Sequence, residues 1–164
     1  MSIWKKVLGY AWASPVTTVG LIYAGTCHAL GWYTWHGKVE DGLVWKVSPK
    51  APGWLQSVWK NWCGHAIGNV VVMNTDPVKK TQILQHELVH VKQCMKLGIF
   101  QPIIYAISSL GIYLGCDNSH PYWSNPFEID ARRASGQMVD IEGTLKRIKE
   151  KNALQDQEAK MQKK

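Results

Sequence analysis

A chain of 164 residues that is 46% hydrophobic and 19% charged is long enough for one domain with a sizeable core and too short for two. Its net charge of +7 sits at the ends: residues 144–164 carry seven basic and three acidic side chains, and Lys5 and Lys6 lie near the start, so the body is close to neutral and holds no nucleic-acid-binding motif. Cys27, Cys63, Cys94 and Cys116 form no Cys-x-x-Cys pair, which excludes a zinc ribbon or thioredoxin-type site and makes reduced thiols in a cytosolic setting the default.

From Val7 to Gly37 there is no Lys, Arg, Asp or Glu. Pro15, Gly20, Thr26, His28 and Gly31 interrupt the stretch, and no small-residue cleavage site follows Lys5-Lys6. Neither a clean membrane span nor a signal peptide is expected, and peripheral membrane contact or assembly into a larger particle stays open. Strands come next. Trp32-Tyr33-Thr34-Trp35 and Leu43-Val44-Trp45-Lys46-Val47 flank Glu40-Asp41-Gly42 and predict a hairpin. Residues 66–74 predict a single strand, whose Val70-Val71-Val72 run suits a buried position. Six of the nine tryptophans crowd the stretch between 32 and 62, at 32, 35, 45, 54, 59 and 62, a composition that fits a binding surface, a membrane-interface belt or plain core and rim packing.

Asp76 as cap, Pro77 as first helical residue and Gly98 as stop predict a helix of roughly twenty residues. Val78, Leu84, Leu88, Val91 and Met95 form its apolar face, and Lys79, Lys80, Lys92 and Lys96 its wet one. Near its middle stands His86-Glu87-Leu88-Val89-His90. Residues four apart share a helix face, so both imidazoles can reach one cation, while Glu87 is placed to take a proton from a water on that cation. A satisfied pair of core histidines is the plain alternative.

Two histidines do not hold a catalytic zinc; a third protein ligand is needed, with a fourth position left for water. Gln93 and Lys96 stand where the metzincin pattern has Gly and a third His, so the ligand comes from elsewhere in the chain. The stretch from Ile99 to Cys116 is again uncharged and slightly short for a bilayer span. After it, Asn125 as cap and Pro126 as first residue predict a second helix that carries Glu128 and Asp130. Asn125-x-x-Glu128 also has capping-box spacing, in which the Glu serves only a backbone N–H. His120, Asp117, Cys94 and Cys116 are weaker ligand candidates, Cys94 more naturally a small buried hydrophobe. Residues 144–164 predict a charged helical or fraying tail beyond a domain over 1–143.

The pairing of His-Glu-Leu-Val-His-Val-Lys-Gln with Asn-Pro-Phe-Glu-Ile-Asp-Ala-Arg resembles the gluzincin metallopeptidases, and within them small zincin-like proteins of bacteria and phages. The likeness covers residues 84–97 and 122–133. It implies an α+β zincin-like fold, with a small antiparallel sheet packed on the metal helix, and His86, His90 and Glu128 as zinc ligands with Glu87 as base. It also implies an edge strand beside the metal helix, here 66–74, to which a peptide or protein substrate adds as a strand. One departure stands out: many gluzincins have an Asp four residues after the ligand Glu, and this chain has Arg132. Asp130 is the alternative for that orienting role, or for the ligand itself.

The expected chemistry is peptide-bond hydrolysis by a water that zinc acidifies to a pKa of about 7, with Glu87 receiving the proton and Tyr122 or His120 donating to the oxyanion. The rival expectations are a catalytically silent zincin-fold module in a phage particle or at a membrane, and a zinc hydrolase of a peptidoglycan amide.

Overall fold

The computed structural model describes residues 3–60, 62–79, 81–115, 120–147, 149, 150 and 153. It opens with a helix that the sequence pattern does not reveal, α1 (Ile3–Ala29). One stripe of α1, formed by Gly9, Ala13, Gly20, Ala24 and Cys27, is buried, but the opposite side is apolar as well, so no polar face marks the period. Small residues are required on the stripe because the helix crosses the sheet at close range. A Cβ on Gly20 would stand 2.5 Å from the Ile67 carbonyl oxygen.

β1 (Tyr33–Val39) and β2 (Gly42–Val47) form the expected hairpin, closed by Glu40-Asp41 with Val39 opposite Gly42. Then α2 (Gly53–Trp59) covers one face of the sheet, its Leu55 and Trp59 packing with Tyr33, Trp45, Val47, Val70 and Val72.

The strand expected over 66–74 is instead a second hairpin, β3 (Gly64–Ile67) and β4 (Val70–Met73). Gly68 is the reason: at φ 62° it takes the first place of a two-residue loop, and a Cβ there would run into the Thr17 backbone at 2.4 Å. Folding back at Gly68 inserts β4 between β3 and β2, giving the order β1-β2-β4-β3 with β2 and β4 parallel. The sheet is therefore mixed, not antiparallel, and β4 is a central strand buried on both faces, which accounts for its unbroken valine run. The outer strands are β1 and β3.

α3 (Thr81–Leu97) packs on the other face, where Leu84, Leu88, Val91, Cys94 and Met95 meet Val44, Val71 and Met73. It starts later than Asp76 because that side chain accepts from the Val78 N–H and closes a separate turn, which leaves Val78 exposed. Gly98, at φ 58°, ends α3; α4 (Phe100–Gly115) departs at 113°, and α5 (Pro126–Ala134) returns against α3. Cys116, Asp117 and Lys80 lie outside the described residues, as does most of the tail beyond a helical stretch at 141–147.

Candidate metal centre

His86 and His90 lie one turn apart on α3, and α5 brings Glu128 to them. His86 Nε2 is 3.2 Å from Glu128 Oε2, His90 Nε2 is 3.3 Å from Glu128 Oε1, and the two Nε2 atoms are 3.2 Å apart. Donors bound tetrahedrally at about 2.0–2.1 Å are separated by roughly 3.3 Å, so the spacing suits one small cation held between the three side chains. All three are largely buried, and Glu128 Oε2 has no well-aligned hydrogen-bond donor. These residues can hold a metal ion. In its absence, burial alone would raise the Glu128 carboxyl, but the two imidazoles outweigh it and hold the group well below the ordinary carboxylate range.

Glu128 is placed by the start of α5. Asn125 caps the helix by accepting from the Phe127 N–H at 2.9 Å, and its own amide donates to Ser109 Oγ and the Tyr105 carbonyl of α4. The Asn125 N–H is taken by the Tyr122 carbonyl rather than by Glu128, so no capping box forms and the carboxylate is free to face the histidines.

Gln93 decides how His90 presents its ring. The Gln93 amide nitrogen donates to Asp130 Oδ2 at 2.9 Å and to the Phe127 carbonyl at 3.2 Å, which turns its oxygen to His90 Nδ1 at 2.8 Å. An oxygen there accepts, so Nδ1 carries the proton and Nε2 keeps its lone pair for a cation. Asp130 therefore acts through Gln93 on the second histidine and stands outside the cluster.

Arg132, where many gluzincins have Asp, is buried with its guanidinium 4.2 Å from the Trp123 ring and 4.9 Å from the Tyr122 ring, and Nη2 is 3.5 Å from Glu128 Oε2. It pins the preceding loop and lends positive charge to Glu128.

No protein family, curated protein or solved structure matches this chain. What the site can do is thus read from its own geometry.

Glu87 is buried where β3 passes α3; a Cβ on Gly64 would stand 3.0 Å from its Oε1. Burial pushes its carboxyl up to about 7, with the charge of Glu128 adding and that of His90 opposing. Tyr122 lies beside Arg132, and burial and the nearby Glu128 push its phenol up to about 12. His120 is used differently: its Nδ1 accepts from the Tyr122 N–H, and among the described residues no contact joins it to the cluster. Cys94 packs in the core below and takes no part.

Sequence reasoning missed Tyr105, whose hydroxyl donates 2.9 Å to Glu128 Oε1 from α4. No spacing signals it, because only the turn at Gly98 swings that helix over the site. Gln93 could have been found, since it lies three residues past His90 on the same helix face.

Proposed function

We propose that this chain is a zinc-dependent metallopeptidase with a gluzincin-like site. The observation that carries the reading is the convergence of His86, His90 and Glu128 at 3.2–3.3 Å with Glu87 buried next to them. Two imidazoles and a carboxylate are a donor set that suits zinc, and they leave room in its sphere for water. Bound zinc supplies Lewis acidity, bringing water to a pKa of about 7 and polarising a carbonyl.

The protein's own groups do the rest. Glu87 takes the proton from the attacking water and passes it to the leaving amine. A carboxyl raised to about 7 in the bare site is lowered by a neighbouring cation, so it is ionised and ready to accept at neutral pH. Tyr122 remains protonated and donates to the carbonyl oxygen as charge develops on it, while Tyr105 and Arg132 hold the Glu128 carboxylate in place. Among the described residues β3 has no strand partner on its outer side, and it lies next to Glu87, which favours an extended peptide adding there as a further strand.

The test is metal analysis of the purified protein followed by a peptide-library digest with and without a chelator. Stoichiometric zinc and chelator-sensitive cleavage are expected. Bound zinc with no cleavage of any peptide would leave a structural module, and cleavage of peptidoglycan alone would make the substrate a cell-wall amide.

A further inference from the structure

The outer surface of the molecule is inverted along two helices. On α1 the side opposite the buried stripe carries Ile3, Trp4, Val7, Leu8, Val19 and Ile22, all exposed. On α4 the side chains at 103, 107, 110 and 114 form an i, i+4, i+7, i+11 stripe of Ile, Ile, Leu and Leu that also faces outward. Tyr105 and Ser109 of α4 point the other way, Tyr105 to Glu128 and Ser109 to Asn125, while Tyr113 is exposed. The two surfaces meet where the Trp12 and Phe100 rings approach to 6.1 Å and Gly98 lets the chain pass Trp12. So many exposed apolar side chains, on two helices joined at that ring contact, mark an interaction face rather than ordinary exposed residues.

Three observations name the occupant. Two hydroxyls on exposed parts of α1 are satisfied within the helix: Thr18 Oγ1 donates to the Ser14 carbonyl at 2.9 Å, and Ser14 Oγ donates at 2.7 Å to Ala11, whose carbonyl Pro15 leaves without its N–H. Bonds of this kind also form on the exposed side of α2, at Ser57, so they let this side of α1 meet hydrocarbon without stranding a polar group but do not by themselves require it. No charged residue occurs in α1 after Lys6 or anywhere in α4, whereas Lys5 stands exposed at the border of the uncharged run, with Trp4 beside it and with Lys6, half-exposed, paired to Asp41. Finally, the buried stripe runs from Gly9, against Met95 of α3, to Cys27, and Thr17 bonds to the buried Asn69, so α3 and the sheet together are attached along the whole helix. Crossing a bilayer would drag Asn69 and Asp41 into hydrocarbon; lying in the interface does not.

We infer that the outward faces of α1 and α4 dip into the headgroup and acyl boundary of a lipid bilayer containing anionic lipid, making this a monotopic membrane-surface protein. The docking does not depend on the metal reading. If that reading also holds, Tyr105 on the inner side of α4 places the site about one helix diameter, roughly 10 Å, from the lipid, so its substrates are chain segments at a membrane surface.

The test is flotation of the full chain with vesicles of phosphatidylcholine containing a minority of phosphatidylglycerol. Co-flotation and a blue shift of tryptophan emission are expected. The pair Ile107→Asp and Leu110→Asp, both at solvent-facing positions, should weaken partitioning at least about tenfold with the circular dichroism spectrum unchanged. Val19→Asp with Ile22→Asp makes the same test on α1 should the first pair fail to fold. His86→Ala should bind vesicles like the parent. Three results would overturn the proposal: no co-flotation, binding that the aspartates leave intact while high salt abolishes it, or a dimer in solution that the aspartates dissolve without any vesicle binding.

Discussion

The α3–α5 contact and the outer faces of α1 and α4 break the usual sorting of side chains in opposite ways. At the first, Glu87, Glu128, Arg132 and two histidines are drawn inside; at the second, isoleucines, leucines and tryptophans are left outside. Buried charge is tolerable only where partners complete it, and exposed hydrocarbon only where something covers it. On the readings proposed above, a cation would complete the first region and a bilayer surface the second, whereas the sheet between them is closed by its own packing.

Several changes sharpen that contrast. Glu87→Gln should cut peptide turnover by about 10²–10⁴ and leave the metal content unchanged, because it removes the proton acceptor without touching a ligand. Metal analysis alongside kinetics checks this, and turnover at the parental rate would remove Glu87 from the chemistry. In the self-sufficient sheet, Trp59→Ala should cost about 3–5 kcal/mol in urea unfolding, as expected for a fully buried indole between Tyr33 and His65.

His65 makes the sheet sensitive to acid independently of the cluster. Stacked on Trp59, its imidazole is pushed down by burial to about 4. Above about pH 6.5 it is neutral in both the folded and the unfolded chain; between about 6.5 and 4 only the unfolded chain takes the proton. Stability should therefore fall by about 3 kcal/mol as pH drops through that window and level off below it. His65→Phe, which keeps a ring on Trp59, should flatten this part of the profile in unfolding titrations across pH.

Gln93→Ala is expected to weaken metal affinity by about 10–100-fold, since it frees the His90 ring and tautomer, with Asp130→Asn doing less because Phe127 still accepts from Gln93. Competition with a chromogenic chelator measures both. The smallest effect belongs to the exposed Lys92–Glu40 pair at 2.8 Å, whose loss should change stability by no more than about 1 kcal/mol.

Local patterns carried much of this in the sequence. The β1–β2 hairpin shows in its aromatic strands about Glu40-Asp41, α3 in its apolar spacing, and the start of α5 in Asn125-Pro126. α1 was hidden because amphipathic period detection needs a polar side, and this helix has none. The second hairpin was hidden because β4 is buried on both faces, so its valines run on without alternation and Gly68 looks like an interruption rather than a turn. At the site, the likeness to gluzincins pointed to Glu128 and left Asp130 as an alternative, and only packing sends one carboxylate to the histidines and the other to Gln93. His120 sits close in sequence to Tyr122, yet its ring serves the loop backbone.

By itself the sequence determined what lies within a few bonds of itself: a helix with two imidazoles on one side, a tight hairpin, a capped second helix, and long stretches without charge. Helical period and turn chemistry are short-range, so they can be read from neighbours along the chain. Tertiary structure alone decided that Tyr105 and Gln93 support the cluster, that β2 and β4 run parallel, and that the Trp12 ring of α1 meets the Phe100 ring of α4. Those outcomes depend on distances between segments far apart in the chain, which are set by how small residues such as Gly20, Gly68 and Gly98 let backbones approach.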